Sequence, residues 1–375
     1  MSRSRILCVT DDLGSGGAQR QLVEIALFLC QIGYDVEFLV YKPENSQEPI
    51  LKQQGIKVIR IPACGFFRRI YRMRKIIRGG NYNLVVAFRR TPAFICEVAG
   101  LPRRKWKLVV SERSSRRNKA KTLLGRFYPY FHKFADCIIC NTFTNSTVVM
   151  ESNPQIKPEN VHVIYNCHDF SNWRQPRPVP TETDSSTLRM VIAARVNDIS
   201  NLKVLMDAML HLTPQERAAL RVEWYNCGSK EMGSSELLES FKQQIQQKRL
   251  HLFVRRAPYD MNEMIADSDI VGLFSFSEKL PRELCSAMAS GKPIISANVS
   301  DMPLLVEDGR GGFLCDASDH LSVASALHKM IRSTNSQRHE MGRYNTQRAR
   351  FLFSNEHTVQ RYVVLFQKLL NNFST

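Results

Sequence analysis

Short apolar runs of strand length recur along the chain, and between them lie segments whose apolar positions fall at helical spacing. In the first half SRILCVT, YDVEFLVY, IKVIRIP, YNLVVAF, WKLVVSE, DCIICNT and VHVIYN are near-continuous, the pattern of strands buried on both faces. AQRQLVEIALFLCQIG, after the first run, carries its apolar residues at helical intervals. This alternation predicts a mostly parallel sheet with helices on both sides. Ser171–Thr187, SNWRQPRPVPTETDSST, holds three prolines and no periodicity, and reads as a linker. The alternation then restarts with LRMVIAAR, LRVEWYNC, LHLFVRR, DIVGLFSF, KPIISAN and GGFLCD, and ends in a helical stretch, HTVQRYVVLFQKLLNN. Two α/β domains in tandem follow: a first over 1–170, a linker over 171–186, a second over 187–354, and a terminal helix over 355–375. Ligands are expected in a cleft outside the carboxyl ends of the strands.

A length of 375 residues exceeds one ordinary core and suits two. No apolar run approaches the roughly 18 residues of a membrane span. The opening MSRSRILCVTDD reads as a buried first strand and not a signal peptide, which places the chain in the cytoplasm. Cys8, Cys96, Cys137, Cys140, Cys285 and Cys315 sit in apolar stretches without partners at metal or redox spacing, so free core thiols are expected.

The net charge of +17 is unevenly spread. Through Thr187 there are 29 Lys or Arg against 15 Asp or Glu, and beyond it 23 against 20. Within Arg60–Lys133 twenty basic residues face two acids, Glu97 and Glu112. One domain therefore carries the basic field. Phe66–Arg78, FFRRIYRMRKIIR, sets Phe66, Phe67, Ile70, Met73, Ile76 and Ile77 among Arg68, Arg69, Arg72, Arg74, Lys75 and Arg78. As a helix it could lie in a lipid interface with its cations on anionic headgroups; alternatively its apolar face packs on the sheet and the arginines are solvated. Arg113–Lys133, a basic stretch leading to aromatics, is a second candidate. The basic stretch has no recognisable nucleic-acid motif, so nucleic acid is not expected as a partner.

Three segments carry candidate chemistry. In DDLGSGGAQR, Asp11–Arg20, a strand enters a glycine turn and a helix follows, so Gly14, Gly16 and Gly17 allow close approach and the helix start offers amides to an anion. The plainer reading is a tight strand–helix turn. In SFSEKLPRELCSAMASGKP, Ser275–Pro293, a loop bearing Glu278 and Pro281 precedes a helix of small residues; it suits a sugar hydroxyl and a phosphate, or an ordinary capped helix. AARVNDISNLKVLMDA places Arg195 where the second domain's first strand ends, able to hold a diphosphate or simply exposed there.

Together these segments resemble glycosyltransferase family 4, retaining enzymes of the GT-B fold with two Rossmann-like domains and a terminal helix crossing back to the first. Gly16-Gly17-Ala18-Gln19-Arg20 is similar to the family's GGAER opening, and VIYNCHD, Val163–Asp169, to its VIPNGVD. AAR with Asn201 is similar to GRL…KG, and Glu278-Lys279-Leu280-Pro281 with Ala287–Pro293 to EGxP…EAMAxGxPV. Val306-Glu307-Asp308-Gly309 with Gly312-Phe313-Leu314 is similar to VEDG..GFLV. The resemblance spans nearly the whole chain in order. Nucleotide-sugar epimerases share the fold but not these motifs.

The resemblance implies a nucleotide diphosphate sugar as donor, held by the second domain without a divalent metal or other cofactor. Arg195 would neutralise the leaving diphosphate and Glu278 orient the sugar, with Leu280, Pro281 and Arg282 presenting amides and Gly16 and Gly17 at the floor. Two positions depart: Ser200 stands for the family's lysine and Ser286 for its second glutamate. Losing that lysine would remove stabilisation of the leaving diphosphate, about a few kcal/mol if unreplaced, and Lys203, one turn on, is a candidate replacement. At the end of the fifth strand, where many members have histidine, stands Ser111-Glu112-Arg113. The first domain would hold an oligosaccharide or lipid-linked acceptor, with Arg68, Arg69, Arg72, Glu112 and Arg113 serving acceptor or membrane. A transferase in surface polysaccharide synthesis, peripheral on an anionic inner membrane face, is one outcome; a catalytically impaired partner or regulatory subunit is the other.

Overall fold

The computed structural model describes residues 4–113, 128–167, 187–194, 199–226, 236–258, 261–274 and 280–371. The chain divides into two compact units, Met1–His168 with Phe353–Thr375, and Asp169–Leu352. Each of the thirteen apolar runs forms a strand: β1 (Arg5–Val9), β2 (Asp35–Val40), β3 (Lys57–Arg60), β4 (Leu84–Phe88), β5 (Lys107–Glu112), β6 (Cys137–Cys140), β7 (Val161–Val163), β8 (Leu188–Ala194), β9 (Leu220–Asn226), β10 (Leu252–Arg256), β11 (Ile270–Leu273), β12 (Ile294–Ala297) and β13 (Gly312–Cys315). The first unit's helices are α1 (Gly17–Gln31), α2 (Glu48–Gln53), α3 (Phe66–Gly79), α4 (Arg90–Gly100) and α5 (Phe143–Ser152). The second carries α6 (Ile199–Leu210), α7 (Pro214–Ala218), α8 (Glu236–Gln247), α9 (Asn262–Ala266), α10 (Arg282–Ala289), α11 (Met302–Val306), α12 (His320–Arg332) and α13 (Asn335–Phe353); α14 (Asn355–Asn371) closes the chain.

The first sheet runs β3-β2-β1-β4-β5-β6-β7 and the second β10-β9-β8-β11-β12-β13, with every strand pair parallel. Both are doubly wound, so strand order reverses between β1 and β4 in one unit and between β8 and β11 in the other. The carboxyl ends of those four strands are where such sheets take their ligands.

Strand alternation sends Ile6 and Cys8 to one face of the first sheet and Leu7 and Val9 to the other. The first face is covered by Leu22, Ile25 and Leu29 of α1 and by Val359, Tyr362, Val363 and Phe366 of α14. The terminal helix therefore belongs to the first unit's core. Tyr362 and Phe366 are fully buried there, and burial of a phenylalanine side chain stabilises by about 1.5–3 kcal/mol. The second face is covered by Met73 and Ile77 of α3 and Ile95 of α4.

Helix α3 forms over the basic amphipathic stretch, but its apolar stripe is not free. Met73 and Ile77 are buried, and Phe66, Ile70 and Ile76 pack partly against the same core. Only Phe67, 84% exposed, and Tyr71, 68% exposed, leave large apolar surface outside. Its cations also divide. Arg74 donates to the carbonyls of Val98, Ala99 and Leu101 at 2.7, 3.0 and 2.6 Å, and Arg78 to those of Ala99 and Arg103 at 3.0 and 3.1 Å. These arginines satisfy the open carbonyls at the end of α4 and oppose its negative dipole. Arg68, Arg72 and Lys75 make no ion pair or side-chain hydrogen bond among the described residues.

In the second unit Met190 and Ile192 of β8, Leu205 and Met209 of α6 and Val323 and Leu327 of α12 share one core. Gly342 shows how tightly α13 seats on it: a Cβ there would fall 2.0 Å from the carbonyl oxygen of Gly291. Among the described residues no helix is long and apolar enough to cross a membrane, and the nine described cysteines are free thiols.

Candidate functional site

At the reversal point of the first sheet, β1 runs into Asp11 and Asp12 and β4 into Arg89 and Arg90. Asp11 and Asp12 are buried. The Asp12 carboxylate accepts from the Gly14 amide at 3.0 Å and from Gln19 Nε2 at 2.7 Å, tying the glycine turn to the first turn of α1. Gly16 caps α1 and brings no side chain to its amides; a Cβ there would sit 2.5 Å from Gln19 Oε1. A Cβ at Gly17 would meet nothing within 4 Å. The Tyr41 hydroxyl donates to Asp11. Burial first, and then the Asp11 charge, push that phenol well above its ordinary range.

Arg89 closes this group from the other strand. Its guanidinium lies 3.0 Å from Asp11 and 3.2 Å from Asp12. The backbone that places it has φ 77° and ψ 156°, a region that strains every residue except glycine. Arg69 of α3 lies over the Tyr41 ring at 4.3 Å, so it belongs to the same strand-end cluster.

The end of β5 forms a second centre. Arg113 donates to Ser111 Oγ at 3.1 Å, to Asn166 Oδ1 at 3.0 Å and to Gln21 Oε1, with its guanidinium 4.6 Å from the centre of the Phe88 ring. Its amide donates to Glu112 Oε1 at 2.9 Å. On the other carboxylate oxygen, His132 Nε2 lies at 3.5 Å and Arg90 Nε at 3.6 Å. His132 Nδ1 is 2.6 Å from Glu97 Oε1, and both residues are fully buried. Burial alone would lower His132, but the Glu97 charge and the bonds to Glu112 and Glu97 outweigh it and push it up to about 10. A carboxyl group faces each ring nitrogen, an arrangement that favours the charged ring with both nitrogens donating, while burial pushes Glu97 above the ordinary carboxylate range against the pull of His132.

In the second unit α10 follows β11 in sequence, and its N-cap Pro281 supplies no side-chain cap. Leu280 and Pro281 are half-buried and Arg282 is exposed. Ser286 is buried on α10, and its hydroxyl donates to Asn262 Oδ1 at 2.7 Å. Asn201 Nδ2 donates to the Phe274 carbonyl at 2.5 Å, pinning the start of α6 to the end of β11. Lys203 pairs with Asp207 at 2.7 Å, one turn toward the far end of α6. Arg195, Glu278 and the side chain of Ser200 lie outside the described residues. A cleft of about 590 Å³ lined by Arg310, Phe313, Tyr344 and Gln347 opens beside the start of β13. That is the opposite end of the sheet from the carboxyl end of β11.

Sequence reading did not single out Asp12, Arg89, Arg90, Glu97 or His132. A signal existed for Glu97, because an acid inside the apolar helix AFICEVAGL requires a buried partner. Nothing local pointed to His132.

Known proteins bear on the whole chain. A model described as Glycosyltransferase Family 4 matches residues 15–172, and one described as Glycosyl transferases group 1 matches residues 187–333. A D-inositol 3-phosphate glycosyltransferase of Nocardioides sp. is 22% identical over 94% of this chain and 85% of its own length. That of Corynebacterium kroppenstedtii is 32% identical over 20% of this chain, a match spanning only 17% of the relative. Among solved structures, Anabaena HepE in complex with UDP superposes with a TM-score of 0.73 at 17% identity, covering 97% of this chain and 100% of that one. Two family models in order, two doubly wound parallel sheets and a terminal helix built into the first unit agree: the chain belongs to glycosyltransferase family 4 and has the GT-B fold.

Proposed function

We propose that this protein transfers a sugar from a nucleotide diphosphate sugar, with retention at the anomeric carbon, to a lipid-linked acceptor bearing phosphate, in surface polysaccharide synthesis at an anionic membrane face. The observation that carries the reading is the division of cations on the first unit. Arg74 and Arg78 are taken up by helix carbonyls, while Arg68, Arg72 and Lys75 have no partner among the described residues and share α3 with exposed Phe67 and Tyr71. That is the composition of a surface that meets anionic lipid. HepE, crystallised with UDP, UDP and glucose, and UDP-glucose, supports a nucleotide-sugar donor.

In this reading the second unit holds the donor. Arg195 neutralises the diphosphate as the bond to the sugar breaks, Glu278 orients the sugar, and amides at Leu280–Arg282 hold oxygens. No metal or other cofactor takes part. Ser286 bonded to Asn262 is too short to grip ribose as a glutamate would, so ribose recognition falls to other groups. The first unit holds the acceptor near Glu112 and Arg113, with Gly16 and Gly17 beneath it.

The test is a melting-temperature panel of the purified chain with UDP, GDP, ADP, CMP and their common sugars, followed by transfer assays with the responding donor. A ligand at a hundred times its Kd stabilises by about 2.7 kcal/mol, a measurable rise. If no nucleotide raises the melting point of the folded protein, the donor reading is wrong and the chain acts as a partner subunit. Flotation with anionic and with neutral vesicles reads the membrane face; equal recovery with both would refute it.

A further inference from the structure

Charged side chains that never reach solvent need a reason, because isosteric apolar packing is commonly no less stable than a buried ion pair. Glu97, His132 and Glu112 are such a set, at 0%, 1% and 5% exposure. Every element around His132 brings a charged or titratable group. Glu97 and Arg90 come from α4, Glu112 from β5 and Arg104 from the segment before β5, and Tyr128 faces Arg90. Glu112 then joins this set to the strand end, with one oxygen toward His132 and Arg90 and the other on the Arg113 amide.

The residues that touch this chain of contacts are not fully satisfied. Gln21 Nε2, Arg90 Nε, Glu97 Oε2 and Asn145 Oδ1 are buried atoms without a hydrogen-bond partner among the described residues. Gln21 is bonded to Arg113, and Asn145 donates to the Glu112 carbonyl at 2.7 Å. Unmet polar capacity of this kind, gathered at one strand end, is expected where water or a polar ligand completes the network. Arg113 itself has five donors, and Ser111, Asn166 and Gln21 take one from each nitrogen. The Tyr362 hydroxyl also lies against this guanidinium, which is half-buried; among the described residues its outer nitrogens are not exhausted, and a planar guanidinium suits a phosphate.

We propose that Arg113 binds the anionic phosphate of the acceptor and that Glu97, His132 and Glu112 position it, with His132 as the central positioning residue. This rests on the acceptor being phosphate-bearing, as proposed above. Imidazolium between two carboxylates fixes the Glu112 rotamer, Glu112 fixes the Arg113 backbone as β5 ends, and the neighbours of Arg113 fix its plane.

The probe is farnesyl diphosphate, titrated into the full chain, with UDP as the control ligand. His132→Gln should weaken farnesyl diphosphate at least tenfold and UDP less than twofold. In turnover it should raise the acceptor KM while kcat changes little. Because this variant removes a buried cation, the double variant E97Q/H132Q, which keeps shape without charge, and NMR titration of the wild-type imidazole accompany it. The imidazole should stay protonated beyond pH 8. The assignment is overturned if wild type does not bind farnesyl diphosphate, if the double variant binds it as wild type does, or if His132 titrates near 6.5. Sugar transfer is scored separately. A chain that binds the diphosphate through Arg113 but turns over no donor sinks the transferase reading alone; one that transfers to a neutral acceptor and ignores diphosphates sinks this assignment, and the phosphate-bearing acceptor with it, and leaves sugar transfer standing.

Discussion

Replacing Arg89 by glycine and by alanine separates what its backbone costs from what its side chain does. At φ 77° and ψ 156° a residue with a Cβ carries about 1–3 kcal/mol of strain. Alanine keeps that strain and loses the contacts to Asp11 and Asp12; glycine loses both. The ion pairs cancel in the comparison, and their own worth is modest because the Arg89 side chain is 39% exposed and screened. Against strain relief stands the greater freedom of glycine in the unfolded chain, roughly 0.5–1 kcal/mol. Glycine should therefore be the more stable of the two by about 1 kcal/mol, the reverse of their order in ordinary backbone. For a domain of roughly 150–250 residues that is a melting difference of about 2–4 °C. Unfolding of two units need not be one transition, so hydrogen exchange in β1 and β4 peptides should assign the shift to the first unit. Both variants should lose transfer activity, since Asp12 holds the glycine turn and Arg89 holds Asp12. An alanine variant as stable as the glycine one, or a glycine variant with full activity, would refute the argument.

The other predictions rest on separate features. Arg195→Ala should lower turnover by orders of magnitude with the melting point unchanged; wild-type turnover would remove Arg195 from the donor site. His132 keeps its proton to about 10 when folded and gives it up near 6.5 when unfolded. The folded state holds the extra proton between those values, so this stabilisation is complete below about 6.5 and is lost as pH rises toward 10. Melting scans from pH 7 to 9.5 should fall more steeply for wild type than for H132Q. Phe67→Ser with Tyr71→Ser, both on exposed positions of α3, should cut anionic-vesicle binding several-fold without altering the melting temperature. Gly342→Ala gains about 1 kcal/mol of helix propensity but forces α13 off Gly291 at about 1–3 kcal/mol, so a net fall in melting temperature is expected; a rise would show the contact to be soft.

How far the structure could be read from sequence depends on whether the signal was local. All thirteen strands were legible because a parallel sheet covered on both faces demands unbroken apolar runs, such as LVVAF in β4, and few other structures do. Strand order was not, since nothing in a run names its neighbour. The glycine turn, Pro281 and Ser286 could be located because backbone freedom, helix starts and small residues leave marks at one place in the chain. Asp12 with Arg89, and Glu97 with His132, left none. Each pair is created by the winding of the sheet, across 77 and 35 positions of sequence. Whether the apolar face of α3 packs on the sheet or lies free stayed open in the sequence for a related reason: periodicity tells which residues share a face, not which face the sheet will claim.

Nine cations of the first unit's basic field fall into three populations. Arg74 and Arg78 are structural, closing the carbonyl end of α4, and would be needed whatever the protein bound. Arg69, Arg89, Arg90 and Arg113 stand at the strand ends with their positions fixed, Arg89 and Arg90 facing carboxylates and Arg69 and Arg113 held by neutral groups. Arg68, Arg72 and Lys75 have no ion pair or side-chain hydrogen bond among the described residues and share α3 with the exposed rings of Phe67 and Tyr71. Salt should distinguish the groups, because screening over a Debye length of about 8 Å in physiological salt weakens exposed charges far more than buried ones. Vesicle binding through the third group should fall with ionic strength well before acceptor binding through the second.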